Sequence, residues 1–203
     1  MPDFTGLPAM PAMVWRAPQD HGDEMRYADM PGAQCETFVA AATSAVWEIA
    51  IDIQAPARWS RELHRTEWLD GAMAPALGAR FAGRNQHPVI GAWRTVSQIT
   101  ELDPERAFAW CVLDADGRFG KATLSLAEPM ATWRFTLTPD AGGTLLRQTV
   151  RIGPGRSGLS AAIDRMPDKE EYLVALRLGE LREGMHATLN GIKAAAEQRQ
   201  RSD

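Results

Sequence analysis

The 203 residues are 45% apolar and 24% charged, with a formal net charge of −4 at pH 7. That balance describes one ordinary folded domain whose length buries roughly 70% of the surface exposed on unfolding, enough for a core and a pocket. An acidic chain lacks the basic excess that phosphate binding needs, which argues against a nucleic-acid surface.

The first 34 residues hold five prolines and no sustained period, so 1–34 reads as an extended or partly disordered arm, which Met13 and Trp15 could pin. Its opening has neither the basic start nor the apolar run of a secretory leader. From Cys35 to Ala41 the pattern is that of a strand. Thr43 and Ser44 then offer an N-cap for a short helix, Ala45 to Asp52, and Pro56 suits the first turn of a second helical piece ending near Arg61. Six further strands follow between turn residues: Leu63–Leu69, Ala79–Asn85, Trp93–Glu101, Ala107–Leu113, Ala131–Thr138 and Thr144–Ile152. Lys121–Glu128 is either an added strand or an irregular insertion. After a Gly-rich loop at 153–158 comes a short helix, Leu159–Met166, and then a long one from Pro167 to about Gln198. On that last helix Val174, Leu178, Leu181, Met185, Leu189, Ile192 and Ala196 form one apolar stripe. Beside it runs a stripe of small residues, Gly184, Thr188, Gly191 and Ala195. Each interior glycine costs about 1 kcal/mol against alanine, so close packing or a nearby ligand is the expected compensation. These elements specify an α+β domain over 35–198, with 199–203 a tail. About seven antiparallel strands form a curved sheet around the long C-terminal helix, with two short helices after the first strand.

Strand alternation decides which side chains face that helix. Arg65, Arg80, Arg84, Arg94, Arg134, Arg147 and Arg151 share one phase, and unpaired charge is costly to bury, so that phase faces solvent. The opposite phase points inward and carries Trp68, Phe81, Trp93, Trp110 and Trp133 together with the neutral or weakly basic groups His64, Asn85, Thr95, Ser97 and Gln148. Any one such polar group is accounted for by a satisfied core position. Five on an aromatic face describe a small-molecule chamber, for which ~300–1,000 Å³ is usual.

Metal and cofactor chemistry finds no support in the spacings. The four histidines (His21, His64, His87, His186) are scattered, Cys35 and Cys111 form no CxxC pair, and neither GxSxG nor a phosphate-binding Lys loop occurs. No cofactor and no metal are expected. Two cysteines cannot build a disulfide framework, and no run reaches the ~20 apolar residues of a membrane helix. A reducing cytoplasm is the expectation, with a monomer or homodimer, no nucleic-acid partner and no membrane span. His87 before Pro88 suits a turn; His186 falls on the solvated side of the long helix.

Several segments bring a family to mind: Ala42-Thr-Ser-Ala-Val-Trp47 with Asp52 and Trp59-Ser60, then Glu67-Trp-Leu-Asp-Gly71, Gly78-Ala-Arg-Phe81, Glu101-Leu-Asp-Pro104, Phe108-Ala-Trp110, Thr132-Trp-Arg-Phe135 and Gly142-Gly-Thr144. Taken in order, over about Cys35 to Glu197, they resemble the START-like proteins of the SRPBCC superfamily, polyketide cyclase/dehydrase group. The resemblance implies a helix-grip fold with a large apolar cavity between sheet and terminal helix. The long arm, the 121–128 stretch and the loop and helix at 153–166 depart from the family pattern. Family members include cyclases, lipid carriers and receptors, so the fold does not settle the activity.

Two functions are therefore expected from the sequence. One is a cofactor-independent polyketide cyclase or aromatase of secondary metabolism, with His64 as acid/base and Asn85 orienting a carbonyl. The other is a non-catalytic carrier of a lipid or aromatic metabolite. Both place a hydrophobic ligand among Trp68, Phe81, Trp93, Thr95, Trp110, Trp133, Gln148 and Met185, with Tyr172 either at the cavity mouth or on the loop.

Overall fold

A computed structural model describes residues 25–88 and 90–201. Most of the proposed arm, including Met13 and Trp15, lies outside the described residues. Its last part does not: Tyr27–Asp29 make a single 3-10 turn, and the first strand, β1, begins at Gly32 and runs to Val39, earlier than the sequence indicates.

Helix α1, Thr43–Ala50, follows at once. Neither Thr43 nor Ser44 caps it; the cap position is Ala42, with no side-chain bond. Its stability comes instead from burial of Val46, Trp47, Ile49 and Ala50. A 3-10 turn at Pro56–Arg58 stands where a second short helix was expected. Then come β2 (Leu63–Trp68), β3 (Arg80–His87), β4 (Gly91–Asp103), β5 (Ala107–Leu113), β6 (Ala131–Asp140) and β7 (Gly143–Ile152). Helix α2 spans Gly158–Arg165, and α3, Glu170–Gln200, is 31 residues long.

All seven strands join one antiparallel sheet in the order β1-β7-β6-β5-β4-β3-β2. Each strand from β2 to β7 lies beside its sequence neighbours, as short connections require, and β1 closes onto β7. Residues 121–128 form no strand and belong to an irregular connection between β5 and β6. Asp114 organises the start of that connection: its buried carboxylate accepts the backbone N–H groups of Arg118 and Phe119, both at 2.8 Å.

The outward phase of the sheet carries the arginines, and acids meet them there. Arg134 forms a two-pronged bond to Glu101 at 2.6 and 2.8 Å, while Arg147 pairs with Glu36 and Arg80 with Asp70. The hydrogen bonds to Glu101 hold the Arg134 guanidinium above its ordinary pKa.

Why the interior is not filled follows from where α3 lies. Val174, Leu178, Met185, Leu189, Ile192 and Ala196 are all at most 1% exposed. The helix packs most closely on β1 and β7 and against α1 and α2. At Gly191 an added Cβ would sit 2.1 Å from the Trp59 ring. The missing side chain is what lets the indole lie against the helix, so this glycine answers to close packing. Over β3–β6 open space separates the inner face of the sheet from α3. No described helix is long and apolar enough to cross a membrane.

Candidate functional site

Between this face of the sheet and α3 lies a chamber of about 500 Å³. Its aromatic wall is built by inward residues of four adjacent strands. Trp110 and Trp133 face each other across the β5–β6 register and stack with ring centroids 6.2 Å apart and planes 10° from parallel. Phe108 lies 5.2 Å from Trp110 by centroid, and Phe81 and Trp93 extend the wall along β3 and β4. On the opposite side α3 contributes Leu181, Met185 and Thr188. Gly184 also lines the space and has nothing within 4 Å of an added Cβ, so this glycine borders open volume.

Polar groups dot this wall. The Asn85 amide nitrogen donates to Gly83 O and Thr95 Oγ1, both at 3.3 Å, so the two residues form one patch. Ser97 is buried beside it on the same strand face. Gln148 differs in kind: it is 5% exposed, it borders the chamber, and its Oε1 has no hydrogen-bond partner. A buried polar atom left without a partner costs roughly 1–3 kcal/mol, and a ligand group is one way to recover that.

Charge is confined to the mouth. Arg177 on α3 holds Glu62 through both terminal guanidinium nitrogens, and one of them also reaches Glu180 at 2.9 Å. Burial works against the charge of Arg177, but the bonds to Glu62 and then Glu180 outweigh it and keep its pKa above the ordinary value. His87 Nε2 stands 3.5 Å from Glu180, and its Nδ1 accepts the N–H of Ile90. Glu62, His87 and Glu180 bring their ligand atoms within 4.8 Å of one another. A cation would have to enter where the Arg177 guanidinium already bridges the two carboxylates, so the cluster is an ion-pair network and not a metal centre. Ser60 positions Glu62: its hydroxyl accepts the N–H groups of Glu62 and Leu63 at 3.1 and 2.9 Å. Ile90, Phe119, Gly158 and Leu159 complete the rim.

Phe81, Asn85, Trp93, Thr95, Trp110, Trp133, Gln148 and Met185, singled out from the sequence, all border this one space. Three others do not. His64 is exposed and sits at a β-bulge between Leu63 and Arg65, where the pairing register with β3 shifts by one residue. The bulge turns Leu63 inward against Gly83, and His64 faces a separate shallow hollow with Arg65 and Glu67. Trp68 borders that same hollow, edge-on to Phe81 at 5.9 Å. Tyr172 is 64% exposed on the first turn of α3, away from the mouth. The imidazole that does line the chamber is His87, the last residue of β3, whose Nδ1 also braces the turn that follows. The sequence reading missed the Glu62–Arg177–Glu180 network. Its available signal was the Arg177–Glu180 spacing on one helix, beside the apolar stripe.

A family model described as polyketide cyclase / dehydrase and lipid transport matches residues 30–197. The solution structure of the Polyketide_cyc-like protein Cgl2372 from Corynebacterium glutamicum is 25% identical, with a TM-score of 0.54 over 80% of this chain and 88% of its own. The di-domain ARO/CYC StfQ of the steffimycin biosynthetic pathway is 17% identical, with a TM-score of 0.58 over 83% of this chain and 52% of the larger protein. TTHA0849 from Thermus thermophilus is 14% identical, with a TM-score of 0.58 over 82% of this chain and 97% of its own. These last two likenesses are of fold. No curated protein matches the chain.

Proposed function

The chain belongs to the polyketide cyclase / dehydrase and lipid transport family, and from that premise we propose that its chamber binds a hydrophobic, aromatic small molecule bearing at least one hydroxyl group. The observation that carries this reading is Gln148, a buried amide with an unpartnered oxygen beside an aromatic wall around about 500 Å³ of space. A hydroxyl can both donate and accept, so it satisfies a primary amide in either orientation, and a flat ring extends the Trp110–Trp133 stack.

Binding without turnover is the form of this proposal that the side chains favour. Among the described residues, those deep in the chamber are apolar or neutral, and the charged ones stay at the rim. Cyclisation needs a proton acceptor within hydrogen-bond reach of the reacting carbon, and His64 is not in the chamber to supply one. A catalytic second reading rests on the likeness to the ARO/CYC folds and assigns the proton transfer to His87, with Asn85 and Thr95 orienting a carbonyl.

Native mass spectrometry of protein purified without denaturation tests the choice. A retained apolar ligand that is returned unchanged on incubation supports carriage. Conversion of an added poly-β-ketone that is lost in His87→Ala, with binding kept, would establish the cyclase instead. A chamber that takes up no hydroxylated aromatic compound at all defeats both.

A further inference from the structure

Among the described residues, six charged side chains border the mouth: Asp52, Arg61, Glu62, Arg177, Glu180 and Glu183. Four are carboxylates and two are guanidiniums, so the rim is acidic by composition. Both guanidiniums are paired, but only Arg177 is shielded from solvent, while Arg61 stays exposed in a weak surface pair. Arg61 donates to Glu183 at 2.9 Å, and Arg177 is held from both sides by Glu62 and Glu180. The side chains of Arg177 and Glu62 are only 20% and 26% exposed, so solvent screens their interaction incompletely. A carboxylate or phosphate head group arriving here meets a surplus of like charge and, among these described rim residues, only guanidiniums that are already paired. It would also lose its own hydration without a partner to replace it.

We infer that Glu62 and Glu180 determine ligand class: by occupying Arg177 they make the chamber reject anionic amphiphiles, fatty-acid carboxylates among them, and admit neutral ones. This rests on the chamber being a binding site, as proposed above. It goes further in assigning specificity to two acids that touch no ligand in the deep pocket. Exclusion of the wrong head group by like charge needs no attractive contact to the right one. Removing both acids would leave a guanidinium at the rim with the geometry to take a carboxylate two-pronged.

The test compares decanoate with 1-decanol, which share an apolar chain, by displacement of the neutral dye Nile red at pH 8. The wild-type protein is expected to bind the alcohol at least about tenfold more tightly than the carboxylate. In Glu62→Gln/Glu180→Gln, decanoate affinity should rise about tenfold or more, with decanol unchanged within about threefold. A folded double variant whose decanoate affinity stays at the wild-type value overturns the assignment, as does a wild-type protein that binds both probes equally. Should the double variant fail to fold by circular dichroism, Glu180→Gln alone keeps the Arg177–Glu62 pair and must still gain about threefold for decanoate; no gain overturns the assignment. If neither Nile red nor decanol binds the wild-type protein, the binding reading itself falls, an outcome distinct from equal binding of the two probes.

Discussion

At the scale of single residues, the chamber leaves a mark on stability as well as on binding. Gln148 keeps an amide oxygen buried and unpartnered, a cost borne by the empty protein that the proposed hydroxylated ligand would relieve. Gln148→Leu is therefore expected to stabilise the empty protein by about 1–2 kcal/mol in urea unfolding. The same change should weaken 2-naphthol binding about tenfold while leaving naphthalene within about twofold, since only the former has a group for the amide. Equal losses for the two compounds would show that Gln148 shapes the wall and does not pair with the ligand. The two glycines of α3 make a second contrast. Gly191 lies under the Trp59 ring and Gly184 under open space. Gly191→Ala should destabilise the fold by about 1–3 kcal/mol through overpacking. Gly184→Ala should stabilise it by about 0.5–1 kcal/mol through helix propensity. Chemical denaturation reads both, and equal effects would mean that the helix is not seated on the sheet edge as described.

At the scale of elements, strand periodicity was the most informative feature of the sequence. Arginine on one phase and tryptophan on the other located the inner face of β3 through β7 correctly, because a buried face tolerates charge so poorly that the alternation is nearly forced. It failed at His64. A bulge adds one residue to an edge strand and reverses the phase behind it, and nothing in Leu63-His64-Arg65 marks that insertion. The irregular stretch 121–128 also had no period to read, and its real anchor was Asp114, whose role depends on backbone N–H groups that fold back toward it. The turn at Tyr27–Asp29 lay in the region read as an arm. There the Tyr27 hydroxyl donates to Gly155 O and lies 3.0 Å from Ser157 Oγ, tying the chain ahead of β1 to the loop that precedes α2. Burial raises the Tyr27 pKa above its ordinary 10.0 despite the opposing bonds to Ser157 and Ser160. The folded state thus favours the neutral phenol: this contribution is complete below the ordinary value and is lost as pH rises through the raised one. Tyr27→Phe should cost about 1 kcal/mol at pH 7. Wild type should lose stability above about pH 10 relative to that variant, so that the difference between their unfolding midpoints narrows. A difference that stays constant to about pH 11 would contradict the assignment.

For the whole molecule, a long helix gripped by a curved sheet reconciles a well-packed core with an empty centre. The C-terminal half of α3, with α1, β1 and β7, buries Leu189, Ile192, Val39, Val46 and Leu146 almost completely. Each such side chain is worth roughly 1.5–3 kcal/mol of transfer free energy, so the fold does not depend on filling the space over β3–β6. That the chamber is hollow was expected from the sequence, which set several polar groups on an aromatic inner face. The charges guarding its mouth were not, because Glu62, Arg177 and Glu180 come from distant parts of the chain and meet only in the folded protein.

The most direct measurement is an isothermal titration of 2-naphthol into the wild-type protein and into Gly184→Trp, which projects an indole into the space that Gly184 borders. A hollow, ligand-ready interior predicts one site per wild-type chain and at least about a tenfold loss of affinity in a variant that still folds. Undiminished binding by the filled variant, or none by the wild-type protein, would contradict it.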